Sequence, residues 1–506
     1  MTSASNDAIH SGDVLDSPEA GGVAVRGSAV RAAGFAATFL LGLISAPLLT
    51  RHLGPEFGRY TQVVSLVAVV GAVTEAGLTA VAIRELSTLH AAERKRLLRE
   101  LLGVRIVLTL AGIAAAVAFA SLAGYGRELV WGTVVAGAGL LAYVLHGAFA
   151  LPLAVDLRFG WLTATEVLRQ FVFVVVIAVL VFLGAGIGPL LAAPIAAGIA
   201  AAALAAWLVR GTAPWRPSFD FAPAWRILRD TLPLAVAGAL YAVYFRVVIL
   251  GMSIVATDQE ITTFALSFRI IEVVVAIPYV LVGSLLPILS RAANTDEERF
   301  AFGFGRTLDV VLIAGVWLSL VTAVGAPLGI AYLTGYPPPE DVDAPAAVEA
   351  LRLHALTLLG VFLNVAYGTA VITLRRNRAL IVANAVALLA IGLATFALVP
   401  RLGAQGGALA TVVGEWVLVT CYMAAVVRAR PALRPRLRPL IKPALAVAVA
   451  APLALIIEVP LLPNVGAIAI VSIAYFGVLV ALRGIPAELV TALLPAQWRR
   501  GRQTPN

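Results

Sequence analysis

The chain has 506 residues, of which 61% are hydrophobic and only 13% charged, and its mean hydropathy is +0.96. Soluble domains carry about 25% charged residues, so a water-soluble globule is excluded and lipid must be the solvent for much of the surface. The lone Cys421 excludes an intramolecular disulfide and any multi-cysteine metal site. The net charge of +9 could suit nucleic acid, but the charges gather in alternate loops, which is a membrane-protein pattern.

In chain order, residues 1–25 carry Ser, Gly and Asp without an apolar stretch, which predicts a disordered tail rather than a secretory signal. A membrane helix needs about 20 apolar residues. Apolar runs of that length predict about fourteen helices: Val30–Leu49, Tyr60–Ile83, Leu102–Leu122, Leu129–Leu151, Ala164–Leu183, Ile187–Val209, Thr231–Ile254, Ile261–Leu289, Leu308–Leu328, Leu351–Leu374, Ala379–Val399, Ala404–Val427, Pro439–Ile457 and Val465–Leu482. The fold class expected is an all-α polytopic membrane protein.

Most of the 37 Lys and Arg fall in one set of loops, among them Arg94–Arg99, Arg158, Arg210–Arg229, Arg291–Arg306, Arg375–Arg378 and Arg428–Lys442. The alternate loops hold only Arg51, Arg59, Arg127, Arg352 and Arg401, with acids such as Asp258, Glu260, Glu340, Asp341 and Asp343. The positive-inside rule makes the first set cytoplasmic. An even helix count then places both termini in the cytoplasm of a multi-pass plasma-membrane protein. The basic segment Leu86–Leu102 is amphipathic and reads as a helix lying in the inner-leaflet interface.

A shift of 217 residues aligns Leu157-Arg158 with Leu374-Arg375, Gly186 with Gly403 and Ala193 with Ala410. The expected organisation is a six-helix lobe at residues 26–215, a second at 216–430, two further helices at 431–485 and a cytoplasmic tail at 486–506. An even number of spans per repeat relates the lobes by a pseudo-twofold along the membrane normal, with a cavity between them.

Ionisable residues at membrane depth mark cavities or partners. Arg246 and Arg269 sit in consecutive helices, and two guanidinium forks in one wet cavity would suit a pyrophosphate. The other reading is an internal ion pair with Glu272, one turn after Arg269. Glu75 reads as a counter-ion for an arginine of the other lobe, as a site for H⁺ or Na⁺, or as a neutral hydrogen-bonded acid. Glu415 shares that ambiguity. His146 is a candidate proton carrier or a plain helix contact. Glu166, Arg169 and Asp309 lie near the cytoplasmic surface, where side chains snorkel. Asn364, Tyr367 and Asn384 complete the polar set.

No glycine-rich phosphate loop with Lys and Ser/Thr occurs, which excludes a nucleotide-hydrolysing motor in this chain. No Cys/His cluster has metal spacing, so no metal or other cofactor is expected. The acidic outer loop at Glu340, Asp341 and Asp343 keeps open a membrane glycosyltransferase with a metal site. A cation-coupled multidrug-type exporter is also open, and it would need an acidic cavity.

Several local patterns carry a family resemblance. Leu49-Thr50-Arg51-His52-Leu53-Gly54-Pro55-Glu56-Phe57-Gly58-Arg59-Tyr60 is an apolar helix end followed by Leu-Gly and Gly-x-Tyr. Glu75-Ala76-Gly77-Leu78 precedes Arg84-Glu85, and Phe264-x-x-x-x-Arg269-x-x-Glu272 precedes Pro278 and Leu286-Pro287-x-Leu289-Ser290-Arg291. In these the chain resembles the polysaccharide (lipid-linked oligosaccharide) flippases of the multidrug/oligosaccharidyl-lipid/polysaccharide exporter superfamily. The resemblance implies a two-lobed, V-shaped fold with an electropositive cavity that binds an undecaprenyl-pyrophosphate-linked glycan for cell-surface polysaccharide synthesis. Inward H⁺ or Na⁺, or the membrane potential acting on the anion, are the open driving forces, and a polysaccharide polymerase is an open partner. The two extra helices would border a groove for the lipid tail, as in the lipid II flippase branch. Arg246 and Arg269, with Glu272, Glu75 and Arg51, form the expected cavity set. Arg31 lies too near the cytoplasmic end, and Arg51 too far out, to match that branch's first-helix arginines, which favours a lipid-linked oligosaccharide other than lipid II.

Overall fold

In the computed structural model the apolar runs fold as helices, and the described residues are 20–75, 78–211, 215–219, 222–283, 297–434, 438–456 and 463–484. No strand occurs among them. The helices are α1 (Ala20–Leu53), α2 (Phe57–Glu75), α3 (Leu78–Leu86), α4 (Ala91–Leu122), α5 (Arg127–Val155), α6 (Phe159–Phe182), α7 (Ile187–Leu208), α8 (Ala222–Val255), α9 (Asp258–Val274) and α10 (Ala276–Gly283). They continue as α11 (Glu297–Val324), α12 (Ala326–Thr334), α13 (Ala344–His354), α14 (Leu356–Thr373), α15 (Asn377–Ala429), α16 (Arg438–Ile456) and α17 (Pro463–Ala481).

Eleven helical stretches among the described residues are long and apolar enough to cross a membrane, and the apolar helix Leu440–Leu453 is shorter. The chain is a multi-pass membrane protein. Two of the eleven stretches each unite two of the expected helices. Val30–Glu75 is interrupted by the Gly54–Glu56 3-10 turn, where Gly54 takes φ +49°. Asn377–Ala429 turns at Gly403, which takes φ +53°. Its two limbs are antiparallel, because Tyr422 hydrogen-bonds Asn384 and Gly414 packs on Ile391.

The helices gather into two lobes. In the first, α1 packs on α6 and α5 on α7. Small residues set the approach: Gly34 packs directly on Thr163, and a Cβ on Gly198 would lie 2.7 Å from Ala142. The second lobe repeats the arrangement. Its first helix, α8, packs on the first limb of α15 through Gly251 and Thr395, and α14 packs on the second limb through Gly360 and Glu415. The last two helices, α16 and α17, pair with each other and lean on α11.

The repeat extends to a single turn. At the end of α5 the Leu157 amide bonds to the Ala154 carbonyl and the Arg158 amide to Leu153. At the end of α14 the Arg375 amide bonds to Ile372 and the Arg376 amide to Val371. Both are Schellman caps. Leu157 and Arg375 take left-handed φ of 55° and 54° at equivalent places. The register here is 218 residues, one more than the 217 expected, because the cap geometry pairs Leu157 with Arg375 and not with Leu374.

Other expectations shift. Residues 20–25, expected in the tail, are helical within α1, while residues 1–19 and 485–506 lie outside the described residues, as do Ala76-Gly77 and Leu286–Arg291. The basic segment Leu86–Leu102 is not a separate interfacial helix. From Ala91 it is the first part of α4, and Leu97, Leu98 and Leu101 are buried against Leu78, Ala82, Leu86 and Leu151. Those leucines prefer the protein core because α3 and α5 offer them an apolar face. The expected helices Leu308–Leu328 and Leu351–Leu374 are broken at Gly325 and Ala355.

Candidate functional site

Arg246 projects from α8 and Arg269 and Glu272 from α9. The 3-residue spacing puts Arg269 and Glu272 on one face, and Arg269 Nη1 lies 2.7 Å from Glu272 Oε2. Arg246 Nη2 takes the other carboxylate oxygen, Glu272 Oε1. One acid therefore holds two guanidinium groups, and the trio keeps one net positive charge. The Arg246 guanidinium also stands 5.2 Å from the Phe268 ring centroid, a cation–π contact. The side chains are 17% (Arg246), 33% (Arg269) and 23% (Glu272) exposed, so they are reachable. Arg269 follows Thr262 by seven residues and so shares its face of α9, and Thr262 meets Pro55 and Gly58 of the first lobe.

A second polar group lies inside the first lobe. Glu75 does not find an arginine of the other lobe. Its partner is Arg105 of α4, whose Nη2 lies 3.3 Å from Glu75 Oε1 and 2.6 Å from Thr79 Oγ1. Thr79 Oγ1 also donates to Glu75. Arg105 is only 2% exposed and passes over Gly147 of α5, where a Cβ would be 3.4 Å from Nη1. Sequence reading overlooked Arg105 because a helix starting at Leu102 puts it at the membrane surface. The actual start at Ala91 carries it fourteen residues into α4. Beside it, His146 is buried and neither ring nitrogen has a hydrogen-bond partner among the described residues, with Nδ1 3.9 Å from Glu166 Oε1. Glu166 accepts from Arg169 Nε at 3.0 Å, and Arg169 stacks 5.1 Å from the Tyr143 centroid.

A third group lies in the second lobe. Glu415 is 2% exposed. Asn364 Nδ2 donates to Glu415 Oε2 at 2.6 Å and to its carbonyl at 3.2 Å. Asn384 Nδ2 donates to the Ala237 carbonyl at 3.3 Å, and Tyr422 donates to Asn384 Oδ1 at 3.1 Å. Among the described residues Asn364 Oδ1 has no partner. This layer ties α8, α14 and both limbs of α15. Asn364, Asn384 and Glu415 are legible as polar residues in apolar runs, but their pairing is not, because Asn364 and Glu415 are 51 positions apart.

Arg51 is not with the arginine pair. Its Nη2 donates to the Tyr332 carbonyl at 2.9 Å at the end of α12. It belongs to a polar seam joining the lobes at the end opposite the basic loops. There Thr262 donates to the Pro55 carbonyl at 2.6 Å and accepts from the Gly58 amide at 3.0 Å. Thr50 donates to the Leu333 carbonyl. Tyr332 donates to the Leu43 carbonyl.

The acidic outer loop gives no metal cluster. Asp343 caps α13 by accepting from the Ala346 amide at 3.0 Å, and no group of three or more His, Cys, Asp or Glu suited to a metal occurs among the described residues.

The whole helical arrangement matches solved transporters. It superposes on "Lipid II flippase MurJ, inward closed conformation" with TM-score 0.73, covering 90% of this chain and 98% of that one at 14% identity. This chain has the fold shared by MurJ and the MATE transporters. An inward-facing multidrug resistance MATE transporter of the MOP superfamily gives TM-score 0.60 over 78% of this chain and 94% of that one, also at 14% identity. The eukaryotic MATE transporter AtDTX14 gives 0.57 over 82% and 98% at 14% identity. No family model matches the chain, and no curated protein matches it.

Proposed function

We propose that this chain is a flippase of the MOP type. It carries a pyrophosphate-linked oligosaccharide, built on undecaprenyl or a similar polyprenyl lipid, from the inner to the outer leaflet by alternating access. The observation that carries this reading is the convergence of Arg246 and Arg269 on Glu272. Arginine presents a planar fork that matches phosphate oxygens, and two forks suit a diphosphate. The incoming phosphates take the two arginines from Glu272. An acidic cavity, as drug cations require, would not place two arginines there, and a fold shared with solved transporters supports transport over sugar transfer.

The driving force has two sources in this reading. An anion moving outward gains about 2.3 kcal/mol per charge per 100 mV of inside-negative potential. Glu415 with Asn364, and Glu75 and His146 in the first lobe, are the groups that would bind H⁺ or Na⁺. The basic loops set both termini in the cytoplasm. A polymerase that consumes the flipped glycan is the expected partner.

The test is flipping of a fluorescent polyprenyl-pyrophosphate oligosaccharide in proteoliposomes, with wild type compared against Arg246→Ala/Arg269→Ala. Transport by wild type that is lost in the double variant supports both class and site. Transport unchanged in the variant removes the arginines from the site, and no transport of any glycan lipid by wild type overturns the class.

A further inference from the structure

The second lobe holds a pocket that the transport reading does not use. It lies between α11, α14, the second limb of α15, the Pro431–Leu433 turn and the start of α16, with a volume of about 750 Å³. That size is within the range of about 300–1,000 Å³ typical of ligand sites. It runs along α11 from Ala301 to Leu312, roughly 16 Å at about 1.5 Å per residue. Its wall at mid-membrane is apolar, formed by Leu312, Leu359, Leu363 and Val419. Its rim carries exposed Phe302, Trp416 and Leu440, which open it to the surface.

The charge is all at one end. Arg306 and Arg434 line the pocket where the basic loops emerge, with Asp309 beside them. Asp309 Oδ2 lies 3.5 Å from Arg306 Nη1, and the Arg306 guanidinium stands 5.3 Å from the Phe302 centroid. These two contacts fix the direction of Arg306. Arg434 is exposed, and Arg428 and Arg430 lie just before it in the chain. An apolar trough open to lipid, closed by two guanidinium groups at the depth of the headgroups, has the shape and charge of one molecule type.

We infer that this pocket binds an anionic glycerophospholipid of the leaflet at the basic end. The headgroup phosphate meets Arg306 and Arg434, and an acyl chain lies along Leu312, Leu359 and Leu363. Cytoplasmic-leaflet lipids are the anionic ones. The site is separate from the arginine trio, which is built on α8 and α9. Its back wall, α14, carries Leu363 next to Asn364, whose amide donates to Glu415 of α15, so a seated lipid braces the helix from which that bond is made.

The experiment is thermal unfolding of the full chain in detergent, with dioleoyl phosphatidylglycerol or dioleoyl phosphatidylcholine added, read by light scattering and by native mass spectrometry. In wild type, phosphatidylglycerol raises Tm by several degrees more than phosphatidylcholine, and one molecule is retained. Arg306→Gln/Arg434→Gln loses that preference. Gly305 lines the pocket, and a Cβ there would meet nothing within 4 Å. Gly305→Leu therefore starts into open space at the trough and is expected to keep the lipid-free Tm and abolish lipid retention. Equal shifts by both lipids in wild type, a preference that survives both variants, or an equal shift from inorganic phosphate alone would each overturn the assignment.

Discussion

The Thr262 hydroxyl rests against the backbone of Gly58, accepting its amide hydrogen at 3.0 Å. A Cβ on Gly58 would lie 2.6 Å from Thr262 Oγ1 and 2.7 Å from its backbone nitrogen. Backbone cannot move aside as a side chain can, so Gly58→Val forces the lobes apart at this end. Labelling of a cysteine placed at Leu333, in a Cys421→Ser background, is expected to quicken at least tenfold from the outer side. Thr262→Val, which loses two hydrogen bonds worth about 0.5–1.5 kcal/mol each, should give a smaller rise. Unchanged labelling in Gly58→Val would show that the seam is not a gate.

Glu272 neutralises two arginines, so its loss differs from theirs. Glu272→Ala leaves two uncompensated cations and should destabilise by about 3–5 kcal/mol. Arg246→Ala or Arg269→Ala leaves one pair intact and should lower flipping tenfold or more with a small change in Tm. Arg269→Lys keeps the charge but loses the fork, and its flipping should resemble the alanine variant. A lysine variant with full transport would reduce Arg269 to a point charge.

Glu75 and Arg105 form a lopsided pair, since Arg105 is 2% exposed and Glu75 47%. Removing the acid strands a buried cation, whereas removing the arginine leaves an acid that water reaches. Glu75→Ala should therefore cost about 3 kcal/mol, and Arg105→Met clearly less. The double variant should regain most of the loss. Unfolding midpoints of the three variants check this cycle, and additive losses would refute the pairing.

Glu415→Gln keeps the volume and an acceptor for Asn364 but removes the charge. Its Tm should stay near wild type while the response of flipping to an imposed Na⁺ or pH gradient disappears. Asn364→Ala leaves Glu415 buried without its donor and should cost about 1–3 kcal/mol. A gradient response intact in Glu415→Gln would move coupling to the first lobe, to Glu75 or His146.

Leu157 and Arg375 hold left-handed backbone at matching caps. A side chain there costs about 1–2 kcal/mol, so Leu157→Gly and Arg375→Gly should each raise Tm, and by similar amounts. Unequal or negative shifts would mean that side-chain contacts outweigh the backbone at one of the two turns.

How much of this was legible in the sequence depends on distance along the chain. Local regularities came through: the apolar runs, the basic alternation of loops, and the Arg269–Glu272 spacing all rest on helical geometry within a few residues. Contacts between distant elements did not. Nothing local pairs Arg105 with Glu75, or Asn364 with Glu415, because those partners are chosen by which helices pack together. Helix starts failed for a similar reason: Ala91 begins α4 well before the apolar run, since its early leucines bury against α3 rather than against lipid. Arg51 carried the right chemistry for a cavity, but its hydrogen bond goes to the Tyr332 carbonyl of α12, a partner 281 positions away.

Glu272 also bears on the unloaded half of the proposed cycle. After release the carrier must pass back through a closed state with nothing in its site. Two bare guanidinium groups shut away from water would resist that passage, since the effective penalty is several kcal/mol per buried ion. With Glu272 clasped between Arg246 and Arg269, the empty carrier supplies its own counter-ion. The return stroke then needs no borrowed anion, and a neutral residue at this position would be felt as slow resetting before it was felt as weak binding.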